Sequence, residues 1–271
     1  MSESIDPAPP SAEPAHAVER RGDGFRERGE QVTRTEAFVD AAFAFAVTLL
    51  IFVGEDSPIP RSLDQLYDTL RQIPAFAASF ACVTLMWSAH HRWSRRYGLD
   101  DTGSVVRSLL LVFLVLIWVF PLRMMFGTAF MWLSSLVFPP DSPFRIPFTV
   151  DLGDHPGEGL RTMFIVYGVA WCSMCFLIAE LYRHAWSRRD SLDLDRTERI
   201  GTRGEIAQWR YGVFVGVVSI AIAVTLDASG PTWLYSAPGM AYFLMSFTGL
   251  AGAVAERRTA RALDAGSARS P

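Results

Sequence analysis

At 271 residues, 50% hydrophobic and with a mean hydropathy of +0.21, the chain is too apolar for an average soluble domain and reads as a membrane protein with polar tails. Its net charge of -3 says little, but all 25 basic residues are arginine, and their clusters flank the apolar runs. That placement argues against a nucleic-acid surface. Cys82, Cys172 and Cys175 fall within apolar runs, which excludes a disulfide framework and leaves them as small packing residues.

Residues 1–24 are rich in Pro, Ala, Ser and Glu and have no apolar stretch behind a basic start. They predict a disordered tail, extended here to residue 30, and not a signal peptide. Six long apolar runs, none with more than one charged residue, follow at 37–53, 73–88, 108–126, 163–181, 211–228 and 235–254. Each is about 16–22 residues, the length that crosses roughly 30 Å of hydrocarbon at 1.5 Å per residue. The expected fold is an all-α membrane protein with six transmembrane helices, occupying residues 31–256 and followed by a solvated tail at 257–271.

With both termini cytoplasmic, 20 arginines lie in inside segments and 5 (Arg61, Arg71, Arg123, Arg145 and Arg161) lie outside. This asymmetry predicts the orientation by the positive-inside rule and agrees with an even number of spans. The segment 127–160 is the longest external connection. Its apolar piece at 130–137 is too short to cross a bilayer and reads as an extracellular cap or interfacial helix. The Thr-Val-Gly-Tyr-Gly filter sequence occurs nowhere in the chain. Residues 185–208 form a charged cytoplasmic connection with helical character. Gly212 and Gly216 make one GxxxG, which permits close helix contact or a dimer face.

The first run opens on Arg34-Thr35-Glu36-Ala37-Phe38-Val39-Asp40. Charge at the mouth of a span is costly enough to imply a partner and a role. At 100° per residue, Phe45, Leu49 and Phe52 fall within an arc of roughly 60°, with Phe38 on the same stripe, while Asp40 lies about 140° or more away. A stripe lining a pore therefore turns Asp40 into the bundle. Its candidate partners are His90, His91 and Arg107, at the same depth on the hairpin of the second and third spans. Adjacent His90 and His91 point about 100° apart and suit a joint metal site poorly. They are expected to serve hydrogen bonding at the boundary and a pH-sensitive pairing with Asp40.

The segment resembles the transmembrane-protein-175 family of potassium channels, whose signature at the start of the first helix is Arg-x-x-x-Phe-Ser-Asp. Arg34, Phe38 and Asp40 match it, and Val39 replaces the serine. The similarity runs on through residues 41–50, then Trp87, His90, His91 and Phe120-Pro121. The resemblance implies a homotetramer in which the first helix of each subunit lines a central pore passing potassium ions, with no cofactor. It places the constriction at Phe45, Leu49 and Phe52, five, nine and twelve positions after Asp40. Arg34, Phe38 and Asp40 would hold the pore helix in register, supported by Thr48, His90, His91 and Arg107. Phe45 and Phe52 stand where the family usually has isoleucine or leucine. Arg107 stands where it usually has asparagine, placed to pair with Asp40 or Asp101.

No catalytic constellation is present, neither paired membrane aspartates nor a Gly-x-Ser-x-Gly elbow. The expected function is a potassium-preferring cation channel in the inner (plasma) membrane, whose partners are copies of itself, the lipid bilayer and potassium ions. The alternatives are a non-conducting scaffold of the same fold and a secondary transporter. The transporter would show inverted repeats and broken helices at the midplane, and only Pro121 fits that description.

Overall fold

The structure, a computed structural model, describes residue 20 and residues 22–52, 60–146, 156–226 and 232–267. The helices in chain order are α1 (Arg34–Phe52), α2 (Leu63–Arg71), α3 (Ile73–Tyr97), α4 (Thr102–Val137), α5 (Pro156–Ser187) and α6 (Arg196–Thr225). A final segmented stretch follows: a 3-10 turn at Thr232–Ser236, α7 (Ala237–Met240), a second 3-10 turn at Ala241–Phe247 and α8 (Thr248–Ser267). Residues 1–19 of the expected tail, 147–155 of the expected insert and 268–271 lie outside the described residues.

Local chemistry explains most helix ends. Ser62 caps α2 by accepting from the Gln65 N–H, and Asp101 caps α4 by accepting from the Ser104 N–H. Asp195 and Glu198 form a reciprocal capping box at the start of α6. α3 stops at Gly98, whose φ of 57° is left-handed and whose N–H donates to the Ser94 carbonyl at 2.8 Å. A Cβ on Gly98 would also lie 2.8 Å from the Arg28 carbonyl oxygen. Gly98→Ala is therefore expected to cost about 1–2 kcal/mol, read in detergent as a melting midpoint lowered by about 4 °C.

Five described stretches are long and apolar enough to cross a membrane: α3, α4, Gly157–Ser187, α6 and Leu234–Ala265. α1 has 19 residues and opens on Arg34, Glu36 and Asp40. α4 has 36 residues and runs unbroken past Pro121 to Val137, about 54 Å at the standard rise. The expected separate piece at 130–137 is thus the end of α4. With no helix-breaking residue between Gly127 and Val137, the ladder simply continues until Pro139 and Pro140.

α5 and α6 pack along their length, α4 lies beside α5, and α1 rests on α3 and α4. The core centres on Met86, Trp93, Tyr97, Leu111, Ile178, Leu181 and Tyr182, with the Trp93 indole N–H donating to the Leu181 carbonyl at 2.9 Å. The GxxxG glycines face α5 of the same chain. A Cβ on Gly216 would sit 2.5 Å from Cys172 Sγ and one on Gly212 3.0 Å from Cys175 Sγ, and the Trp171 indole N–H donates to the Gly212 carbonyl at 3.1 Å. Close packing within one chain uses this motif, and Cys172 and Cys175 are the small side chains that permit it.

Residues 25–30, placed in the disordered tail by composition, are docked against α3 and α6. Phe25 is buried, and the Arg28 and Gly29 N–H groups both donate to the Arg95 carbonyl at 3.1 Å. Burial of the Phe25 ring contributes about 1.5–3 kcal/mol to seating this polar stretch, alongside these backbone bonds.

Candidate functional site

α1 divides cleanly into two faces. Glu36, Val39, Phe43, Ala46 and Leu50 are buried against the chain's own bundle, spaced alternately three and four apart. The opposite face carries Arg34, Ala37, Phe38, Ala41, Ala44, Phe45, Thr48 and Ile51, all exposed. Phe38 is 56% exposed and Phe45 57%. Leu49 lies at the edge of this face, half-buried and packed partly against the core. Phe52 shares the face by helical register, while its side chain lies outside the described residues. Thr48 turns its hydroxyl back to the Ala44 carbonyl at 3.1 Å.

The charges at the start of α1 find partners on α3, though not the expected ones. Asp40 accepts from the Trp87 indole N–H at 2.8 Å. His91 stacks on Trp87, with centroids 5.2 Å apart and planes at 19°, and its Nδ1 lies 3.6 Å from Glu36 Oε1. His90, one residue earlier and so turned about 100° away, faces α4, where its Nε2 lies 2.9 Å from Ser108 Oγ. Arg107 donates to the Gly103 carbonyl at 2.7 Å, closing a turn of its own helix. The hydrogen bond to Asp40 thus comes from Trp87 and not from either histidine or Arg107. Trp87 and His91 are one turn apart and both face α1, so the longer indole reaches Asp40 and the imidazole above it meets Glu36.

Glu36 is the residue that the spacing argument left without a role. It is 3% exposed, its N–H donates to the Thr33 hydroxyl at 3.1 Å, and its carboxylate faces His91 and the Arg95 Nε, each at 3.6 Å. With no direct hydrogen bond to its carboxylate oxygens, the buried Glu36 side chain has Arg95 and His91 as its neighbours in ion-pair range, and removing such a partner from a buried charge is costly. The readable signal was its place at the span mouth beside Arg34 and Asp40.

A second cluster joins the start of α4 to the end of α5. Asp101 lies 2.9 Å from His184 Nε2 and 2.8 Å from Arg188 Nη2, and it accepts from the Ser104 N–H at 2.9 Å. Burial alone would raise the Asp101 carboxyl, but the Ser104 N–H and the His184 ring outweigh it and hold it down at about 2. A depressed carboxylate stabilises the fold above its ordinary range near 3.8, and the contribution is lost as pH falls towards 2. The melting-midpoint gap between the parent and Asp101→Asn should accordingly be widest above about pH 5 and close on acidification. A gap unchanged across that range overturns this assignment.

Among the described residues no group of three or more His, Cys, Asp or Glu side chains is placed to hold a metal ion. The arrangement instead offers an apolar helix face left exposed by the described residues of its own chain, on a helix tied at its charged end.

Residues 34–121 match the model of the family described as endosomal/lysosomal potassium channel TMEM175. The match begins at the first residue of α1 and ends at Pro121 within α4, so the matched segment contains the two-faced helix, Trp87, both boundary histidines and Arg107. Over 223 residues the chain is 29% identical to a protein of Marivirga tractuosa named potassium channel, spanning 81% of this chain and 85% of that one. Its fold is similar to the crystal structure of a variant of the potassium channel MtTMEM175 in complex with a nanobody–MBP fusion protein. That likeness has a TM-score of 0.70 and 25% identity, and covers 90% of this chain and 100% of the other. A crystal structure described as a lysosomal potassium-selective channel TMEM175 homolog from Chamaesiphon minutus matches at 23% identity and a TM-score of 0.47, over 81% of this chain and 96% of that one.

Proposed function

We propose that this chain is the subunit of a potassium-preferring cation channel, a homotetramer with six spans per subunit in which α1 lines the pore and Phe45, Leu49 and Phe52 form an apolar constriction. The observation that carries the proposal is the two-faced α1. Its seam of Glu36, Val39, Phe43, Ala46 and Leu50 is spent on the bundle of its own chain, while Phe38, Phe45, Thr48 and Ile51 are left uncovered. Arg34 begins that uncovered face. Packing around a central axis covers it, since four copies bring the apolar stripe to a narrow lumen and the arginines to its mouth.

In this reading a partly dehydrated cation passes a ring of phenylalanine and leucine side chains, and the barrier is set by pore radius and dewetting. Arg34, Phe38 and Asp40 hold the helix in register, Asp40 through Trp87 and Glu36 through His91 and Arg95. Thr48, His90 and Arg107, expected to support this junction, instead bond to Ala44, Ser108 and Gly103. The positive-inside asymmetry supports cytoplasmic termini, in a subunit of the plasma membrane. The names carried by the Marivirga tractuosa relative and by MtTMEM175 support potassium as the permeant ion.

The deciding experiment is potassium against sodium flux in proteoliposomes holding the purified protein, with its mass determined in detergent. Potassium-preferring flux from a tetramer is the expected result. An intact tetramer that passes neither ion overturns the channel reading in favour of a scaffold.

A further inference from the structure

The residues that lead into α1 form a strap laid across the ends of α3 and α6. Phe25 sits edge-on to Tyr97 with centroids 6.2 Å apart, the Arg96 guanidinium lies 4.2 Å over its ring, and a Cβ on Gly201 of α6 would meet that ring at 2.8 Å. A Cβ on Gly29 would lie 2.7 Å from the Ser94 carbonyl oxygen, so the strap backbone lies directly on the end of α3. Residues 25–30 form no helix, and both Arg26 and Arg28 meet Glu198.

Glu198 has a fully buried side chain, 170 residues and more from the arginines it binds. The Arg26 N–H and Nη2 reach it at 2.9 and 3.0 Å, and Arg28 forks onto both oxygens at 2.9 and 2.8 Å. The Asp195 N–H occupies a further lone pair at 3.0 Å. Paired, charge-assisted bonds of this kind are roughly twice as strong as neutral ones and fix direction as well as distance. Arg28 is anchored further by the Leu192 and Arg96 carbonyls, each at 3.2 Å. From Arg28 to Arg34, where α1 begins, the chain reaches at most about 20 Å. Arg95 ties the two ends of this leash, donating to the Gly29 carbonyl at 2.6 Å while its Nε stands 3.6 Å from Glu36 Oε1 on α1.

We infer that Glu198 is a positioning residue for the pore helix: through Arg26 and Arg28 it sets where the N-terminal end of α1 sits against α6, and so the balance between open and closed pores. This rests on the channel reading above. Glu198 itself touches no part of the exposed α1 face, so it is expected to act on how often the pore opens and not on what the open pore selects.

The test combines single-channel recording in planar bilayers with hydrogen exchange on the same purified protein, for the parent, Glu198→Gln, Arg28→Gln and the double variant. Glu198→Gln should change open probability at least threefold while unitary conductance and the potassium-to-sodium permeability ratio stay unchanged. Exchange of amides 34–41 should quicken about tenfold, as local opening becomes easier. The double variant should match the stronger single variant, since both remove one tie. A conducting parent whose Glu198→Gln form is unchanged in opening and exchange overturns the inference, as does a shift in unitary conductance. A parent that passes no current while Glu198→Gln still quickens exchange at 34–41 removes the channel reading and leaves the tie standing. Should Glu198→Gln fail to assemble, Arg28→Lys, which keeps the charge and loses the fork, carries the same readouts. If neither assembles, the cluster serves folding alone and the positioning role falls.

Discussion

Replacing Phe45 and Phe52 together with alanine is expected to raise potassium flux through the reconstituted protein about tenfold, a barrier lowered by about 1.4 kcal/mol. Each subunit loses two aromatic rings from the proposed constriction, and a wider, less apolar lumen is easier to wet. Phe45 is 57% exposed and makes no core contact, so its loss should change subunit stability by no more than about 0.5 kcal/mol. A gain in flux would then report on the lumen and not on loosened folding. Leu49→Ala should also raise conductance, but Leu49 packs partly against the core, so its effect mixes pore width with stability. Unchanged flux from an assembled Phe45→Ala, Phe52→Ala protein would remove the apolar ring from the mechanism.

The second large effect is expected at Asp40. Asp40→Ala leaves the Trp87 indole N–H without the acceptor it now holds at 2.8 Å. The orphaned donor and lost charge-assisted bond should cost about 1–3 kcal/mol in each subunit. The tie joins α1 to α3, so the loss should appear first as a reduced yield of assembled oligomer by size exclusion, with ion selectivity little changed in what does assemble. Asp40→Asn keeps an oxygen acceptor and should recover most of the yield, and Trp87→Phe, which removes the donor, should reproduce much of the defect. Parent-like yield from both Asp40→Ala and Trp87→Phe would show that the pair does not hold the pore helix.

Several features were legible because they are local. Apolar run length marked the long helices, and 100° per residue separated the Phe45 stripe from Asp40 without any neighbour in view. That separation reappears as the exposed and buried faces of α1. The charged mouth of α1 was visible as well, though with Asp40 weighted above Glu36. The capping box at Asp195 and Glu198 also has a readable spacing, but spacing alone does not distinguish a cap from a buried anchor for two distant arginines.

What the sequence by itself determined is which residues share a helix face, because helical period acts over one or two turns. The tertiary structure alone decided which side chain stands opposite. Asp40 meets Trp87 and not a histidine, Glu36 takes His91 and Arg95, the glycines of α6 serve α5 of the same chain, and Glu198 holds a strap that composition assigned to disorder. Each of these depends on the rotation and axial offset of one helix against another. Those quantities come from the packing of the whole bundle, and no local pattern encodes them.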